Sequence, residues 1–304
     1  MKKLLKSIVI FITLVLVMGP IMGLTAAAQA AQANIVNSFD FPMPVASGIN
    51  VRRGGNAELD YSNVADGYVM ARFNQHSSSV RILITNPSGV RYQYNLNTQG
   101  RWETFPLTGG NGVYTIIIAE RIDGNRYSPR VNMTVNVVLV DEFAPFLRPN
   151  QFVNFGPNSN VVAVAAELTQ HSIGVLDSVA IIYNFVINNI SYDFHLATTV
   201  QSGYVPDLDI VLARGMGICF DYASLMTAML RSRGIPTKLV IGYVGDIFHA
   251  WISVHSDEHG WINDIIRFDG LEWRLMDPTF SSTGGDQARQ FTGNGQNHRP
   301  TNLH

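Results

Sequence analysis

Three residues of this 304-residue chain are of the types that covalent acyl-transfer chemistry needs: Cys219, the single cysteine, His249 thirty residues later, and Asp277 a further twenty-eight. A thiolate attacks a carbonyl carbon. An imidazole within hydrogen-bond reach holds the ion pair and later protonates the leaving group, and a third polar group orients the imidazole. Cys219 follows Gly215-Met216-Gly217 and opens a run to Arg233 that reads as a largely buried helix, stopped by Gly234 with Pro236 just beyond. A sulfur there faces unpaired backbone N–H groups and the positive end of the helix dipole, an environment that favours the thiolate. His249 falls on a strand with Trp251 and Ser253 on its face, and Asp277 ends a later strand, so neighbouring strands can bring the two together. Each residue also has an ordinary reading. Free cysteine is a common core residue, a strand histidine is satisfied in many contexts, and Asp277 before Pro278 can begin a turn.

The text around the three narrows the choice. Gly217 to Leu225 reads GICFDYASL, Arg233 to Tyr243 reads RGIPTKLVIGY, His249 to Val254 reads HAWISV and Trp273 to Phe280 reads WRLMDPTF. In order and spacing these resemble the transglutaminase-like superfamily over about residues 161–280. The resemblance implies an α+β, papain-like or transglutaminase-like domain, with helices packed on an antiparallel sheet. It implies Cys219 as nucleophile, His249 as base and acid, and Asp277 as orienting carboxylate. The implied reaction is acyl transfer at an amide bond of a protein or peptide substrate through a thioester, as a transamidase or as a cysteine protease or amidase. Papain-like enzymes use the same chain order, but their cysteine and histidine lie ~130 residues apart. The backbone N–H of Cys219 is the first oxyanion donor expected. Tyr192 and Tyr204 lie where the superfamily often supplies a ring donor, and neither is assigned that role.

These residues must be positioned by elements that the pattern also predicts. Ser159 or Asn160 can cap a helix over Val161 to Gln170, and Asp177-Ser178 a second with Val179, Ile182, Tyr183, Val186 and Ile187 on one face. Leu208 to Arg214 leads into the cysteine helix. Strands follow at Thr237 to Val244, His249 to His255, Trp261 to Phe268 and Leu271 to Met276, the last two joined by Asp269-Gly270. Upstream, short alternating runs such as Val80 to Thr85, Gly112 to Ala119 and Val131 to Val140 sit between turn clusters, the pattern of a β-sandwich. The expected organisation is multidomain: an all-β sandwich over 34–142, a proline-bearing linker over 143–158, the α+β domain over 159–283 and a polar tail over 284–304.

Residues 1–30 read as a secretory signal peptide, basic from Met1 to Lys6 and apolar from Ile8 to Met18, with cleavage after Ala30 or Ala33. An uncleaved anchor is the rival, but spanning takes ~20 apolar residues and this run is shorter. The expected location is therefore secreted or cell-surface. Beyond the leader, 18 basic residues stand against 23 acidic, a formal charge of −5, which argues against a nucleic-acid partner. Lys238 is the one lysine left there. His249, His255, His259, Asp257 and Glu258 match no tetrahedral zinc spacing, and no calcium loop is visible, so neither metal nor cofactor is expected. A reading of another class also stands: a surface binding or adhesion protein whose sandwich meets a cell-wall or surface partner and whose second domain is catalytically silent.

Overall fold

In a computed structural model, residues 41–244, 246–263, 266–268, 273–275 and 298–304 are described. The leader, the Asp269-Gly270 turn and Asp277 lie outside the described residues. The N-terminal half is all β: β1 (Val51–Gly54), β2 (Ala57–Asp60), β3 (Tyr68–Phe73), β4 (Val80–Thr85), β5 (Arg91–Leu96), β6 (Glu103–Pro106), β7 (Gly112–Asp123) and β8 (Arg126–Val137). They form two antiparallel sheets, β1-β2-β3-β6 and β5-β4-β7-β8. In β4 and β5 alternate residues are buried, as a pleat with one covered face requires. Leu59, Phe73 and Phe105 from one sheet and Ile82, Ile116 and Ile118 from the other belong to a single buried cluster.

The C-terminal half brings helices α1 (Asn160–Leu168), α2 (Val175–Asn189), α3 (Phe194–Thr199), α4 (Leu208–Arg214) and α5 (Cys219–Arg231) against a sheet. A two-residue parallel ladder, β9 (Ser191–Tyr192) with β10 (Met216–Gly217), ties the approach to α5 to the end of α2. The main sheet runs β13 (Gly260–Ile262), β12 (Ile247–Ser256), β11 (Thr237–Val244), β16 (His298–Leu303), and β14 (Ile266–Phe268) pairs with β15 (Trp273–Leu275) in a separate two-stranded ladder. α5 is buried over most of its length and packs on β11 and β12. A β-rich region followed by helices on an antiparallel sheet is the architecture observed.

Three expectations change. α2 begins at Val175, ahead of the expected cap, because the Asp177 carboxylate turns back to accept the Ile173 N–H at 2.8 Å. The stretch 143–158 connects the halves but is itself core, with Ala144, Phe146, Val153 and Phe155 buried and Phe152 packed against the clusters of both halves. The last residues of the expected tail are not loose: β16 pairs with β11, and His304 exchanges both backbone hydrogen bonds with Leu239 at 2.8 and 2.9 Å. Among the described residues no helix is long and apolar enough to cross a membrane.

Candidate functional site

Cys219 is the first residue of α5 and half-buried. Its approach is fixed from both sides. Upstream, Ser191 donates its N–H to Gly215 O at 2.8 Å and Asp193 to Gly217 O at 2.9 Å. Downstream, Asp221 folds back under the helix start: one carboxylate oxygen accepts the Ile218 N–H at 2.8 Å and the other accepts the Tyr204 hydroxyl at 2.7 Å. These bonds satisfy an N–H that a helix start leaves unpaired. Gly217 is required for this, since a Cβ there would lie 2.6 Å from the Asp221 Cβ. Asp221 is wholly inaccessible. Burial raises its carboxyl above the usual range, against the two hydrogen bonds that lower it. Burial and Asp221 together push the Tyr204 phenol well above its ordinary value, which keeps it a donor.

His249 sits on β12 opposite Gly242 of β11 and is 4% exposed. Its ring lies nearly parallel to that of Trp251, 6.4 Å away, two residues along the same face. Gly242 makes room for this arrangement. A Cβ on it would stand 2.2 Å from Arg299 O on β16 and 2.8 Å from the Trp251 ring.

Cys219 and His249 open on one cavity of about 870 Å³. Phe220, Phe248, Tyr192 and the 200–205 loop form part of its lining, and Ser79, Arg81, Gln93, Arg121 and Tyr127 form the opposite wall. That wall is the exposed face of β5-β4-β7-β8 in the N-terminal half. The two halves meet closely, for a Cβ on Gly203 would stand 2.1 Å from Asn95 Nδ2. A thiol at a helix start and an imidazole on a strand, sharing one cleft, are the groups that a thiol acyl-transfer site must bring together.

Of the expected site residues, Cys219 and His249 are thus brought to one cavity, and Asp277 lies outside the described residues. Tyr204 is engaged with Asp221. Tyr192 lines the cavity with its ring against Phe194. His255 is packed between the rings of Phe143 and Trp261. Among the described residues no group of three or more His, Cys, Asp or Glu is placed to hold a metal ion. Sequence reasoning missed Asp221 and the β-sheet wall. The first had a signal, an acid three residues into the helix after Ile218, where a carboxylate reaches back to the helix start. The second had none, because its strands lie in the other half of the chain, far upstream of Cys219 and His249.

Residues 162–264 match the family model of the transglutaminase-like superfamily, so the chain carries a transglutaminase-like core domain. A Bacillus subtilis protein, YebA, itself uncharacterised, is 26% identical over 121 residues, 34% of this chain, and the match spans only 16% of YebA's length. Among solved structures, a candidate cysteine protease from Cytophaga hutchinsonii is 14% identical, with 83% of this chain and 78% of that one covered at a TM-score of 0.39. The periplasmic domain of TgpA from Pseudomonas aeruginosa, bound to ethylmercury, is also 14% identical, with 86% and 96% covered at a TM-score of 0.36.

Proposed function

We propose that this protein is an exported cysteine-dependent acyltransferase or hydrolase acting on amide bonds of protein or peptide substrates. The observation that carries the reading is the opening of Cys219 and His249 on one cavity, within a transglutaminase-like domain. In this mechanism the Cys219 thiolate adds to an amide carbonyl, and the oxyanion that forms is held by the Cys219 backbone N–H. His249, oriented by Asp277, gives its proton to the departing amine, leaving a thioester and neutral imidazole. An amine acceptor then resolves the thioester to a new amide, or water resolves it to an acid, with His249 taking the incoming proton. The N-terminal half acts as a β-sandwich domain attached to the catalytic one, and residues 1–30 direct export.

The test is the rate of iodoacetamide alkylation between pH 5 and 9, followed by intact mass, in the wild type, His249→Ala and Asp277→Ala. The lone thiol makes each adduct assignable. Labelling that persists near pH 6 and collapses in His249→Ala is the expected result. Labelling that follows an ordinary thiol near ~8.5 in all three proteins returns the reading to a silent, surface-binding module.

A further inference from the structure

We propose that the β-sheet wall of the cleft selects acidic peptides, with Arg81 and Arg121 receiving a carboxylate beside the amide under attack. This rests on the acyl-transfer reading of the same cleft and names its substrate class. Among the described residues that line the cavity, the charged side chains apart from the Cys219–His249 pair are these two arginines, and none is Asp or Glu. Acids do occur nearby on the same strands, but each has a partner of its own: Glu120 pairs with Arg130 at 2.8 Å and Asp123 with Arg126 at 2.9 Å.

The geometry at Arg81 is built rather than incidental. Its guanidinium lies over the Tyr127 ring at 4.2 Å, and the Tyr127 hydroxyl is held by Ser79 Oγ at 3.1 Å. Stacking fixes the plane of the fork, the form in which arginine meets a carboxylate with two parallel hydrogen bonds. Arg81 Nε is buried with no hydrogen-bond partner among the described residues. With Nε covered by the protein, the guanidinium meets a ligand in the cavity through its two terminal amino groups. Arg121 lies opposite Tyr127 in the β7–β8 register and gives its Nε–H to Gly124 O, which holds its stem along the same wall. Neither arginine has a salt bridge among the described residues.

The test measures binding and is therefore independent of turnover. Three amidated peptides of equal length, rich in Glu, Gln or Lys and bearing a neutral dye, are titrated by fluorescence anisotropy against the full chain carrying Cys219→Ala. A fourth, Gln-rich with a free C-terminal carboxylate, separates a terminal carboxylate from a side-chain one. The Glu peptide, or the free-carboxylate peptide, is expected to bind about tenfold tighter than its neutral counterpart at low salt, and less so at high salt. Arg81→Gln with Arg121→Gln removes that preference, Arg81→Lys keeps part of it, and wild-type alkylation by iodoacetamide slows in the presence of the preferred peptide. Equal affinity for all four peptides, or a preference that survives the double substitution, overturns the proposal. A cleft that prefers acidic peptides while its thiol shows no dependence on His249 keeps this proposal and removes the catalytic one.

Discussion

Tyr204 donates a hydrogen bond from its hydroxyl to Asp221 across 2.7 Å, and Asp221 holds the backbone one residue before the cysteine. A loop residue and a helix residue thus set the pitch at which α5 presents its first side chain. Tyr204→Phe leaves a buried carboxylate oxygen without its donor, so a loss of about 1–3 kcal/mol is expected. Asp221→Ala strands two donors and is expected to cost more. The pair is not additive: Tyr204→Phe in the Asp221→Ala background changes little further. Thermal unfolding of the four proteins checks this, and the alkylation rate of Cys219 falls along with stability. Additive losses would mean that the two residues act separately.

Gly242→Ala is expected to destabilise by about 1–3 kcal/mol, because its Cβ has no room between Arg299 O and the Trp251 ring. Gly156→Ala is the matched control, since its nearest neighbour would be a methionine methyl at 3.9 Å. Urea unfolding should separate them clearly. Similar midpoints for the two variants would show that β16 can yield to a side chain at 242.

His304 is wholly buried and its imidazole is pushed down to about 3, by burial first and by the Arg231 charge second. Tyr94, whose own phenol is held well above its usual value, shares a hydrogen bond with His304 Nδ1 at 2.8 Å. An unfolded histidine takes its proton near pH ~6.5. Between that value and about 3 the unfolded chain binds the extra proton, so stability is full above ~6.5 and is lost as the pH falls through the window. His304→Gln is expected to flatten the dependence of the urea midpoint between pH 4 and 7. An unchanged slope would place the acid sensitivity elsewhere.

Lys238 lies on β11 with its ammonium 3.5 Å from the Trp261 ring centroid and 5.1 Å from that of Phe146. Burial pushes it down to about 8. The unfolded chain therefore holds more protons between about 8 and its ordinary ~10.4, and the burden that the buried ammonium places on folding lifts as the pH rises through that range. A chain beginning at Asn34 carries this one lysine. Reductive methylation with a carbon-13 label then gives one lysine signal, expected to titrate near 8. Titration above 10 would mean that the aromatic cage is open to water.

Local signals carried much of the reading. The Cys219 helix start, its Gly234 stop and the alternation of β4 are written in neighbouring residues, and the structure places them there. β16 was not legible, because His298–Leu303 is polar, contains Pro300 and owes its strand form to β11, nearly sixty residues upstream. The packed connection at 143–158 looked like a linker for a similar reason. Its prolines are local, whereas the burial of Phe152 between two cores is a property of the whole. Asp277 was read from its motif alone and lies outside the described residues.

The strand β16 also bears on how fast the chain can find its shape. Thr108 reaches Leu303 O across 195 positions, Tyr94 reaches His304 across 210, and Arg231, at the far end of the cysteine helix, donates to His304 O across 73. Hairpins such as β4–β5 and β7–β8 close short loops and form early, but contacts of such separation must wait for most of the chain to be ordered. The cleft, with walls from both halves, is therefore among the last features to assemble. A folding intermediate of this protein would hold its thiol on a helix whose final anchor has not yet arrived.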